Sequence, residues 1–145
     1  MLASPRNILL QITNEGVTQL KKVTPKASGK TRRRIKGKVV KAARGWTMLI
    51  TVPNHWRFSI TGRGPGNIPP VDRIRDWLAD IGLDISSYAV ALSIAQNGTL
   101  LWQKGGNLDK TDKIFDGMVA EATERLEEYY KSLAEGSIDK EISQL

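Results

Sequence analysis

A chain of 145 residues, 40% hydrophobic and 26% charged, is sized for one domain with its own core. Having no cysteine excludes a disulfide framework and a thiolate metal site, and no apolar run approaches the roughly 18 residues of a membrane span. The net charge of +7 is divided: residues 1–66 hold 14 Lys/Arg against the single acid Glu15, whereas residues 67–145 hold 8 against 14 Asp/Glu. A balance of +13 followed by one of −6 points to an acidic partner for the first half, to head-to-tail self-association, or to both. The opening stretch MLASPRNILLQITNEG lacks the basic and long apolar segments of a secretory signal, so synthesis in the cytoplasm is expected.

Ser4-Pro5 reads as an N-cap followed by proline at the first helical position. Leu9, Ile12, Leu20 and Val23 recur at near-helical spacing, which predicts a helix over 5–23 with Gly16 weakening its middle. Thr24-Pro25 ends it. Residues 26–38, KASGKTRRRIKGK, are basic and Gly-punctuated and read as a flexible connection. From Lys38 the chain turns β-branched and aromatic, with breaks at Arg44-Gly45 and Pro53-Asn54. That pattern predicts two or three antiparallel strands near 38–43, 46–52 and 56–61, with Trp46, Leu49, Trp56 and Phe58 supplying contact area.

After a Gly/Pro stretch, Val71, Ile74, Leu78 and Ile81 mark a helix over 69–81, with Trp77 on its apolar side and Gly82 as its stop. Trp77 is expected to be buried. Ser86 or Ser87 caps a second helix carrying Tyr88, Ala91, Leu92 and Ala95, which ends at Asn97-Gly98. TLLWQ (99–103) reads as a short edge strand or extended segment. Phe115, Met118, Val119, Ala122, Leu126, Tyr129, Tyr130 and Leu133 mark a long amphipathic helix over about 110–135. The expected architecture is α+β: a small antiparallel sheet with three or four packing helices and a basic loop or hairpin projecting. Residues 1–135 form the domain and 136–145 a polar tail.

Catalytic signals are weak. Ser28-Gly29-Lys30-Thr31 looks like the end of a P-loop, but Thr24 stands where the first glycine is required, and the segment follows a helix instead of a strand. Gly62-Arg63-Gly64-Pro65-Gly66 could cradle an anion with its backbone N–H groups. A strand-to-helix connection needing positive φ accounts for it better. His55 has no local serine and carboxylate to complete a triad, and with no second histidine or cysteine it makes a poor metal ligand. Asp72, Asp76 and Asp80 share a helix face on which Arg73 and Arg75 can pair with them. Neither catalysis nor a cofactor or metal is expected. The densest charge run, Lys30, Arg32, Arg33 and Arg34 with Lys36 and Lys38, can meet DNA phosphates or an acidic protein surface.

The order of parts resembles the neck and tail-completion proteins of tailed bacteriophages. The matching pieces are SGKTRRRI (28–35), GNIPPVDRIRDWL (66–78), YAVALSIAQNGT (88–99) and the helix through ATERLEEYY (122–130). The motif positions are Gly66, Pro69, Pro70, Ile74, Trp77 and Gly98. The resemblance implies a structural, non-enzymatic virion protein made in the host cytoplasm and placed at the head–tail junction. It would form a homo-oligomeric ring, six- or twelve-fold by analogy. Its neighbours would be a portal or adaptor and a tail terminator or tube protein, with non-specific contact to packaged DNA and no membrane. The acidic face expected to meet the basic run of the next copy is Asp116, Glu121, Glu124 and Glu128. The chain departs from the family pattern in ending acidic and polar instead of rich in Arg and Pro. The alternative is a nucleic-acid-binding protein using 26–44 as a phosphate-contacting arm, with Trp46, Trp56 and Phe58 as stacking platforms on the sheet.

Overall fold

A computed structural model describes residues 3–27 and 29–145; Ser28 of the P-loop-like stretch lies outside them. The fold is α+β, with one two-stranded antiparallel sheet. Helix α1 (Pro5–Val23) is its centre. Ser4 caps it, Oγ accepting from the Asn7 N–H at 3.2 Å, and Pro5 occupies the first turn as read from sequence. Ile8, Leu9, Ile12, Thr13, Gly16 and Leu20 are buried along it. One side of α1 packs on the hairpin of β1 (Lys36–Ala42) and β2 (Gly45–Thr51), and another on α7 (Leu108–Ser143). The core between them is Ile8, Leu9, Ile12, Val39, Met118 and Ala122, with Met48, Ile50, Ile114, Leu126 and Tyr129 half-buried at its rim.

Two glycines set how close these layers come. Gly16 is where α7 approaches α1, for a Cβ there would run into the Met118 side chain, 2.8 Å from its Cε. Without a Cβ there the Met118 thioether sits against α1, at the propensity cost of a helical glycine. Gly37 on β1 faces α1, where a Cβ would lie 2.5 Å from Thr13 Cγ2 and 2.8 Å from Val17 Cγ2. Met118 can swing its thioether aside, but Thr13 and Val17 are β-branched and stiff. Gly37→Ala is expected to destabilise by about 1–3 kcal/mol, the range for overpacking, read as a lower urea midpoint at unchanged slope. A midpoint equal to the parent's would mean that the hairpin and α1 are not in contact there.

The described residues of the connection after α1 are anchored in the fold on both sides of Ser28. Thr24 is fully buried and its hydroxyl donates to the Leu20 carbonyl at 2.7 Å. Helix α2 (Lys30–Arg34) follows, and then fully buried Ile35. The predicted third strand is helix α3 (Trp56–Thr61). Strand propensity reflects packing more than backbone preference. Here packing wins, because the Trp56 indole N–H reaches Thr24 Oγ1 at 3.0 Å and Ile60 is buried.

Helices α4 (Val71–Ile81) and α5 (Ser87–Asn97) pack on each other, with Leu78 and Ala91 buried. Ser86 caps α5, and α4 ends in a Schellman turn, the Leu83 N–H reaching the Leu78 carbonyl at 2.9 Å across Gly82. TLLWQ is not extended. Thr99 Oγ1 accepts from the Trp102 N–H at 3.3 Å and caps helix α6 (Leu100–Gln103). The polar tail is likewise helical, since α7 runs on to Ser143. Extending an existing helix requires no new nucleus, and SIDKEIS contains no proline to stop it.

Candidate interaction surfaces

The Gly/Pro stretch is a joint. Gly62, Arg63 and Gly66 already donate their N–H groups to Phe58 O (2.9 Å), Thr99 Oγ1 (3.0 Å) and Ala95 O (2.9 Å). Thr99 N–H returns to Arg63 O at 2.8 Å. These three donors are committed within the chain, and Pro65 has none to offer. Pro69 is buried and Pro70 caps α4, its carbonyl accepting from Arg73 at 3.1 Å and Ile74 at 3.3 Å. Ile74 is half-buried and Gly98 buried. Trp77 corrects the sequence reading: it is 44% exposed. The stripe that α4 turns toward α5 is centred on Leu78, and Trp77 lies about 100° around the helix from it, where no other layer covers it.

The basic run is divided by its short helix. Arg32 is half-buried, Nε donating to the Thr24 carbonyl at 2.7 Å, so a backbone oxygen satisfies it where an acidic group or phosphate was expected. Arg33, Arg34, Lys36 and Lys38 are exposed, as is Lys30. Register places Lys36 opposite Thr51 and Lys38 opposite Leu49, on the sheet face away from the core. Lys41 pairs with Trp46 on the other face, and every residue from Lys41 to Thr47 is exposed, so the hairpin tip projects past the core. Trp56 and Phe58 sit on α3, so they form no stacking platform with Trp46 on the sheet.

The acidic face is divided too. Glu121 pairs with Arg125 at 3.3 Å, and Arg125 also donates to Gln11 Oε1 at 2.9 Å, tying α7 to α1. Glu124 and Glu128 are exposed near Glu121, whereas exposed Asp116 lies roughly 80° around the helix from Glu124. On α4, Arg75 serves both Asp72 (3.4 Å) and Asp76 (3.9 Å), and Asp80 has no ion pair among the described residues.

Thr31 Oγ1 and His55 Nε2 lie 3.0 Å apart, but among the described residues no carboxylate orients the exposed imidazole. No group of three His, Cys, Asp or Glu among them could hold a metal ion, and no helix among them is long and apolar enough to cross a membrane.

Many large apolar side chains lie at the surface. Trp46, Leu49, Phe58, Trp77, Leu83, Ile85, Tyr88, Leu100 and Trp102 are exposed, as are Phe115, Val119, Tyr130 and Leu133 along α7. Accessible surface totals 10453 Å², against about 7,400 Å² expected for a compact monomer of this mass. Sequence reading missed the exposure because a periodic apolar stripe looks the same whether its own chain or another covers it. Compared with known protein families, with curated proteins and with solved structures, the chain matches none.

Proposed function

We propose that the chain is a structural protein of the tailed-phage head–tail junction. Identical copies form a ring between a portal or adaptor and a tail terminator or tube protein. The observation that carries the assembly is the surplus of roughly 3,000 Å² of surface, rich in large apolar side chains, which a monomer leaves in water. The place in the virion rests on the resemblance of the GNIPPVDRIRDWL and YAVALSIAQNGT motifs. The helix-entry prolines, the Gly66 and Gly98 joint and the capped α5 are consistent with it. The reading as a nucleic-acid-binding protein keeps exposed Arg33, Arg34, Lys36 and Lys38 but loses the aromatic sheet on which bases would stack.

Reconstruction of phage particles containing this protein tests the reading. The expected result is a closed ring at the head–tail junction, six- or twelve-fold by analogy. Particles in which the protein is absent from the junction, or present there only as single copies, would overturn it.

A further inference from the structure

We propose that the copies join head to tail, the β1–β2 hairpin tip of one chain docking on the α4–α5 corner of the next. This rests on the reading above of an assembly of identical copies and names the surfaces it uses. The hairpin tip presents Lys41 and Arg44, both exposed and without an ion pair among the described residues, while Lys36 and Lys38 lie further from the tip on the opposite face. Trp46, paired with Lys41 and so on its face, is 37% exposed beside them. No acid occurs between Glu15 and Asp72, so nothing in this region of sequence offsets those cations.

The corner is the counterpart. Trp77, Ile81, Leu83 and Ile85 are exposed there around Asp76, Asp80 and Asp84. An open groove there has an apolar floor of Leu78, Leu83 and Ile85, with Asp84 and Arg75 both on its lining; Arg75 is already engaged by Asp72 and Asp76. Asp80 and Asp84 have no cation of their own chain within ion-pair distance among the described residues.

Charge selects the occupant. A two-fold contact of hairpin on hairpin sets cations against cations, and corner on corner sets aspartates against aspartates. A hairpin-on-corner contact satisfies both patches, reciprocally in a two-fold dimer or head to tail along a series of copies, and the head-to-tail form is the one that the assembly proposed above requires. Two such patches, at about 800 Å² each, fit within the surplus surface of roughly 3,000 Å². A heterologous contact propagates, and it closes into a ring when its rotation divides a full turn.

Charge reversal with complementation tests the surfaces on the full chain at low salt, read by sedimentation and native mass. One variant carries Lys41→Glu and Arg44→Glu, and the other Asp80→Lys and Asp84→Lys. All four positions are exposed, so the thermal midpoints should match the parent's. The wild-type chain is expected to self-associate, and each variant alone to do so about a hundredfold more weakly or worse. An equimolar mixture should regain assembly, because each reversed hairpin then meets a reversed corner and each native hairpin a native corner. Wild-type assembly indifferent to both reversals, or a mixture that stays dissociated, overturns these surfaces while leaving the ring to particle reconstruction. A wild-type chain that stays monomeric, or whose corner takes only a foreign basic protein, also overturns the second copy as occupant.

Discussion

Ile12→Ala is expected to cost about 2–5 kcal/mol, the range for emptying a large aliphatic site. Ile12 is 1% exposed and belongs to the cluster where α1 meets the hairpin and α7. The cavity cannot close easily, because Gly16 and Gly37 already bring those layers to their closest approach. Equilibrium urea unfolding of the full chain should show a lowered midpoint with little change in slope. Trp77→Ala is the informative control. A fully buried tryptophan would lose about 3–5 kcal/mol on truncation, but Trp77 is 44% exposed in the isolated chain. Its loss should be well below that of Ile12→Ala, and its effect should appear in self-association. If the two variants fell equally, the assignment of Trp77 to a surface between copies would be wrong.

Gly62→Ala is expected to be comparably damaging for a different reason. Gly62 has φ 74° and ψ −178°, a region essentially reserved for glycine, so any side chain costs about 1–3 kcal/mol in backbone strain. A Cβ there would also meet the Trp102 backbone, 2.9 Å from its Cα, and Thr99 Oγ1 at 2.5 Å. Backbone cannot swing aside as a methionine can, so overpacking adds about 1–3 kcal/mol more. Gly98, with φ 77° and ψ 176°, faces Arg63 O across the same joint. The two glycines let α3, α6 and the entry to α4 meet with their backbones in contact. Gly66→Ala serves as the comparison, since Gly66 also has a positive φ, 154°, but a Cβ there would meet nothing within 4 Å, so the difference between the two reads the packing. The damage should show as a urea midpoint lower for Gly62→Ala than for Gly66→Ala. Equal midpoints would mean that the joint is not closely packed.

Local signals were legible because the forces behind them are local. The Ser4 and Ser86 caps, Pro5 in the first turn, the stop at Gly82 and the apolar period of α1, α4 and α7 act within a few residues, and the elements stand where those signals place them. The antiparallel hairpin is legible for the same reason. What tertiary structure decided lies wherever a distant partner outbids local preference. WRFSIT has the residues of a strand yet forms α3, because Trp56 finds Thr24, 32 positions away. The basic stretch looked unstructured by composition, but Arg32 finds the Thr24 carbonyl and Ile35 a fully buried site. Trp77 followed the period of a core residue and is exposed, because periodicity specifies which side of a helix is apolar and says nothing of what covers it. The charge division was plain in the sequence, but its resolution into a projecting hairpin and an acidic corner required the register of β1 with β2 and the turn between α4 and α5.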